Sequence, residues 1–202
     1  FMNATMSLEK TKHYPVMLNQ VLSIISPQHG GTFIDCTFGG GGYSKAILKF
    51  PETKVIAIDR DKITKKYSDK LQTEFPKRFH FIQGKFSNLN NIIEKHIKPR
   101  AIIFDLGLST LQLIDKERGF SFNSKNFLNM EMGMNEHSAY DMVNNLDKDY
   151  LAAIIKVLGE EKDGKIIANK IDKHRKQKKI QSSQELASII RSAKKNYNNY
   201  KK

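Results

Sequence analysis

At 202 residues, with 39% hydrophobic and 27% charged side chains, the chain reads as one ordinary globular domain or one domain carrying a modest insertion. It contains no apolar run of about 18 residues, which excludes a transmembrane helix from the sequence. Its single cysteine, Cys36, excludes an internal disulfide and a cysteine-based metal site. The net charge of +13 and isoelectric point near 9.7 point to a polyanionic partner, with nucleic acid first among candidates.

That charge is uneven. Between Lys170 and Lys202 stand eleven lysines and arginines against two acids, a net +9. The first twelve residues are too polar for a signal-peptide core, so cytoplasm is the expected compartment.

Residues 16–25 place Leu18, Val21, Leu22 and Ile25 on one helical face, with Pro15 suited to the first turn and Pro27 and Gly30-Gly31 ending the run. Apolar runs at 32–37, 54–59, 79–83 and 100–105 then alternate with helical patterns near 44–50, 61–75 and 88–97. Strands alternating with helices predict a parallel sheet with right-handed crossovers. Ala101-Ile102-Ile103-Phe104 is apolar throughout, as a strand covered on both faces would be. Residues 107–135 read as loop, with a methionine patch at Met130, Met132 and Met134. Helical patterns follow at 138–145, 148–158, 162–175 and 183–195, with Ser182 or Ser183 and Glu185 as a helix start. No fifth strand is expected after residue 105, and the last eight residues read as a disordered basic tail.

The stretch Asp35-Cys36-Thr37-Phe38-Gly39-Gly40-Gly41-Gly42-Tyr43-Ser44 carries the chemistry. Four glycines after a strand let backbone amides approach a ligand, and Asp59 closes the next strand 20 residues after Gly39, where a carboxylate can grip ribose hydroxyls. An ATP-binding P-loop would end in Gly-Lys-Ser/Thr, and that motif is absent. The dinucleotide fingerprint fits with Ser44 in place of its third glycine. S-adenosylmethionine fits as well, with Asp105-Leu106-Gly107 as the polar loop after the fourth strand. Both ligands stay open on these residues alone. The six histidines are scattered and predict no metal site.

Further pieces recur in order: His13-Tyr14-Pro15-Val16-Met17-Leu18, Ile58-Asp59-Arg60-Asp61, Gly84-Lys85-Phe86, Asp105-Leu106-Gly107-Leu108-Ser109, Gln112-Leu113, Arg118-Gly119-Phe120-Ser121-Phe122, Gly159-Glu160-Glu161 and Ile167-Ala168. With the glycine stretch, this ordered set resembles the ribosomal small-subunit methyltransferase H family (MraW-like). The resemblance implies an α/β fold: a Rossmann-like S-adenosylmethionine methyltransferase core at 1–106, its partial parallel sheet in order 3-2-1-4. An inserted helical domain for RNA at 107–195 and a basic tail at 196–202 complete it. The implied reaction is methylation of N4 of a cytosine in small-subunit (16S) rRNA, within the 30S subunit, with S-adenosyl-L-methionine as donor.

By position, the resemblance assigns cofactor contacts to Gly41, Gly42, Tyr43, Asp59, Phe86, Asp105 and Gln112. Tyr43 replaces a histidine common among relatives, so its contact is expected through backbone atoms. Asp105 and Ser109 are the expected catalytic residues. Arg118, Lys173, Arg175, Lys176, Lys178 and Lys179 are expected to meet RNA phosphates, and Phe120 or Phe122 to stack on a base. The Pro-Leu-Asp-Met-Arg-Met stretch of relatives reads Phe127-Leu128-Asn129-Met130-Glu131-Met132 here, placing Asn129 and Glu131 where a carboxylate and a cation stand. Relatives continue for further strands, so the chain reads as C-terminally truncated, with weak cofactor binding and slow turnover expected. The competing expectation is a degenerate remnant that binds cofactor or RNA without turnover.

Overall fold

The structure is a computed structural model and describes residues 15–198. The chain divides into two compact units, Phe1–Leu111 and Gln112–Lys202. No helix among the described residues is long and apolar enough to cross a membrane.

The first unit is a four-stranded parallel sheet, β1 (Gly31–Asp35), β2 (Thr53–Asp59), β3 (Phe79–Gln83) and β4 (Ala101–Ile103), in the expected order β3-β2-β1-β4. Register partners Phe33, Val55 and Phe79 share one face, and Ile34, Ile56 and Ile102 the other. The alternation of two apolar faces follows from the period of two along a strand. One face packs on α1 (Leu18–Ile25), α2 (Gly42–Leu48) and α3 (Lys65–Glu74) through Ile47, Leu48 and Leu71, with Leu18, Val21, Leu22 and Ile25 of α1. The other face buries Ile34, Cys36 and Ile58 under α4 (Leu89–Ile92). Burial and the neighbouring Asp35 push the Cys36 thiol up to about 11, keeping it protonated.

Several expectations shift. Helix α1 starts at Leu18 rather than in a turn opened by Pro15, whose ring instead lies against Gly42. Helix α2 begins two residues earlier than the pattern, and α4 has four residues where ten were expected. β4 is not covered on both faces: Ile103 is buried, but Ile102 is 43% and Phe104 48% exposed.

The second unit holds α5 (Thr110–Ile114), which straddles the division, then α6 (Ala139–Asn145), α7 (Lys148–Val157), α8 (Gly164–Arg175) and α9 (Ser183–Asn198). Ser138 and Asp141 form a reciprocal capping box on α6, and the Ser182 hydroxyl accepts from the Glu185 amide at the start of α9. Leu128, Leu151, Ile167, Ile171, Ile180 and Ile189 build a separate core. Helix α9 continues to Asn198, into the stretch expected as a tail; 199–202, like His13 and Tyr14, lie outside the described residues.

Candidate active site

The carboxyl ends of the four strands are stitched to one another by backbone-directed hydrogen bonds. Gly39 N–H donates to Asp59 Oδ2 at 2.7 Å and Phe38 N–H to Ile58 O at 3.1 Å, tying the glycine loop to β2. Gly84 N–H donates to Asp59 O at 2.9 Å, tying β2 to the loop after β3. Asp105 N–H donates to Thr37 Oγ1 at 2.8 Å, tying the loop after β4 to that after β1. The structure thus brings the glycine loop, Asp59 and Asp105 to one edge of the sheet. Thr37 had no assigned role in the sequence, and only its partner reveals its work.

The four glycines divide into two pairs with different duties. A Cβ on Gly41, held at φ 79°, would press into the Phe38 ring at 2.8 Å, and one on Gly42 would collide with Pro15. These two let α2 pack closely against the core. A Cβ on Gly40 would meet nothing within 4 Å, and one on Gly39 only Thr37 O at 3.8 Å. Gly39 and Gly40 therefore present bare backbone to open space. Tyr43 is buried, and its hydroxyl donates to Val16 O, so this side chain is committed to the core. Burial pushes its phenol up, with Asp105 and then Asp35 adding to the effect.

Asp59 accepts from Asp61 N–H at 2.8 Å through Oδ1, in addition to Gly39 through Oδ2. The Arg60 backbone amide donates to this carboxylate as well, and two oxygens offer about four acceptor positions, so the group retains capacity for one further donor. Burial raises its pKa above the ordinary carboxylate value, against the lowering effect of those amides. Asp35 is fully buried and pushed up to about 6 by burial, while the Ser44 hydroxyl donates to its Oδ2 at 2.7 Å. This bond fastens the first turn of α2 to the end of β1.

Phe86, in the short 3₁₀ turn Phe86–Asn88 after β3, is 39% exposed rather than core. Its ring meets Phe104 edge-on, with centroids 5.4 Å apart. The sequence marked Phe104 only as a strand residue; its contact with Phe86 makes it part of an exposed aromatic pair. Open glycine backbone, a partly buried carboxylate with spare acceptor capacity, an exposed aromatic pair and Asp105 suit a nucleoside with a charged tail. The residues present therefore fit S-adenosyl-L-methionine. Ser109 lies past β4 in the same unit and carries interactions of its own.

Gln112 is buried on α5 in the second unit. There the Arg118 guanidinium donates to Glu131 O and lies 5.8 Å from the Phe120 ring, while Asn129 Oδ1 accepts from Glu131 N–H at 3.1 Å. Phe120 is buried, whereas Phe122 is 76% exposed. Arg175 turns inward, its side chain only 11% exposed, and donates to Asp172 and to Val143 O. Lys176 pairs with Asp172 at 2.7 Å and Lys179 donates to Asn144 O at 3.2 Å. Lys173 and Lys178 stand exposed.

Residues 10–202 match the MraW methylase family. The chain is 41% identical over 184 residues to the Ribosomal RNA small subunit methyltransferase H of Ehrlichia chaffeensis, covering 89% of this chain and 62% of that protein. It is 39% identical over 183 residues to the enzyme of the same name from Rhodospirillum rubrum, covering 90% and 56%. The chain thus spans about three fifths of the length of the curated relatives it matches. A solved structure, the C-terminal domain of precorrin-6Y C5,15-methyltransferase from Rhodobacter capsulatus, matches 47% of the chain at 18% identity with a TM-score of 0.39, too distant to carry weight.

Proposed function

The chain belongs to the MraW methylase family, and we propose that it is an S-adenosyl-L-methionine-dependent methyltransferase acting on N4 of a cytosine in small-subunit rRNA, in the cytoplasm. The observation that carries this reading is the shared edge formed by Gly39, Gly40, Asp59, Phe86 and Asp105. S-adenosyl-L-methionine, when bound, supplies an activated methyl group.

Asp59 accepts from a ribose hydroxyl with the acceptor position left by the Gly39, Arg60 and Asp61 amides. Phe86, braced by Phe104, covers the adenine. Gly39 and Gly40, with the backbone of Gly41, Gly42 and Tyr43, face the methionine end. Asp105 accepts a hydrogen bond from an N–H of the target amine and takes up that proton as the nitrogen gains its methyl group. An amine conjugated with its ring is a poor nucleophile, and an acceptor on that N–H restores lone-pair character. Thr37 positions Asp105 through its backbone. Alignment and exclusion of water supply most of the rate, and the base must first leave its stack at a cost of a few kcal/mol. Ser109 helps receive it.

RNA contacts in the second unit fall to Lys173, Lys178 and the outer edge of Lys176, with Phe122 available to stack. Arg118, Arg175 and Lys179 contribute charge from positions they already occupy structurally. Transfer of labelled methyl from S-adenosyl-L-methionine to immature 30S subunits tests the reading. Labelled cytosine that disappears in Asp105→Ala supports it. Cofactor binding without any labelled cytosine supports a non-catalytic remnant instead.

A further inference from the structure

We propose that the amino-terminal edge of the half sheet is a second docking groove for RNA, holding its phosphate backbone away from the methyl-transfer edge. A cavity of about 580 Å³ opens there, at the starts of β1, β2 and β3. Lys54, Lys77, His80, His96 and Lys98 line it, all of them exposed. No aspartate or glutamate lines it.

The charge is free to act. No carboxylate pairs with Lys54, Lys77 or Lys98 among the described residues. Glu94 lies 3.3 Å from His96 of the lining, in a pair exposed on both sides. Such a pair is worth little in water and yields readily to a phosphate. Arg78 lies behind, donating to Leu48 O at 3.0 Å and Phe50 O at 2.8 Å; it adds positive potential without needing to reach the ligand.

The groove exists because α4 is short. Its Leu89 and Ile92 cover Ile34 and Ile58, nearer the carboxyl ends, and leave the outward row at the strand starts to solvent. Thr32 and Lys54 are register partners in that row, and His80 pairs with Ile56 beside them. A sheet face in this position would ordinarily carry apolar residues for a helix to bury. Here it carries cations around a floor that includes Ile56 and Ile97. Flexible lysines around an open groove suit phosphates met without sequence reading. The occupant is RNA because the proposed substrate is RNA, and the inference rests on that reading.

The test compares Lys54→Gln/Lys77→Gln/Lys98→Gln with a control in which Lys49, Lys66 and Lys70, exposed elsewhere on the same unit, become glutamine. Binding of a short dye-labelled single-stranded RNA is measured across a salt series, with melting curves to verify folding. Each phosphate contact contributes about 0.7 to the slope of log affinity against log salt. The groove variant should lose about 2 from that slope while S-adenosylhomocysteine binding stays unchanged. An unchanged slope, an equal loss in the control, or no RNA binding by the parent chain overturns the groove. Loss of methyl transfer to 30S subunits in the parent chain, with the groove dependence intact, overturns the methyltransferase reading instead.

Discussion

Asp35 and Asp59 stand on neighbouring strands, yet burial acts on them to different ends. Asp35 is sealed beneath Ser44, and its pKa is about 6 against an unfolded value near 3.8. A carboxyl raised on folding binds its proton more tightly in the native state. Its stability penalty is therefore absent at pH below 4, grows as pH rises through the window from 4 to 6, and is complete above it. Asp35→Asn should raise stability at pH 8 by on the order of 2–3 kcal/mol, with the gain fading towards pH 4, as read by denaturant melts at both pH values. Asp59 keeps a spare acceptor position at an accessible edge, so Asp59→Ala should weaken S-adenosylhomocysteine at least about tenfold, as a hydrogen bond to a charged group implies. The acid at the end of the second strand was legible from spacing alone. The burial of Asp35 was not, because nothing in the sequence says that Ser44 will close over it.

Among the elements, the glycine loop and its helix show how one motif serves two ends. Gly40 has no neighbour within 4 Å, whereas Gly41 and Gly42 are pressed against Phe38 and Pro15. Gly40→Ala should melt with the parent and bind S-adenosylhomocysteine less tightly. Gly41→Ala should lose about 1–3 kcal/mol of stability through overpacking and its left-handed backbone. In the second unit, buried Asn144 donates to Tyr140 O and Ile180 O and accepts from Ile180 N–H, clasping α6 to the segment before α9. Asn144→Ala should cost about 2–3 kcal/mol in a thermal or chemical melt, because it strands buried backbone groups. The strands and most helix positions were legible because apolar periods of two and near four alternate along the chain, whereas the strand order came from the family resemblance. The shortness of α4 and the inward turn of Arg175 were not. Each depends on partners distant in sequence, such as Val143 O for Arg175.

At the scale of the whole molecule, the sheet ends on β4, whose outer side carries no strand among the described residues. Ile102 and Phe104 are exposed there, a template for pairing with another chain. The 202-residue chain should therefore self-associate with rising concentration in sedimentation runs, and Ile102→Lys should suppress this. The apolar run 101–104 foretold a strand, but its covering cannot be read from its own residues. The amino ends of the strands bear the basic groove, so the first unit separates the two duties, donor at the carboxyl ends and phosphate at the amino ends. Calorimetric titration of S-adenosylhomocysteine into the parent chain and Asp59→Ala probes the donor cradle most directly. Saturable binding by the parent, at least about tenfold weaker in a normally melting Asp59→Ala, is expected. Equal binding by both proteins, or none by the parent while a nicotinamide dinucleotide stabilises it, would contradict a methyl-donor site at this edge.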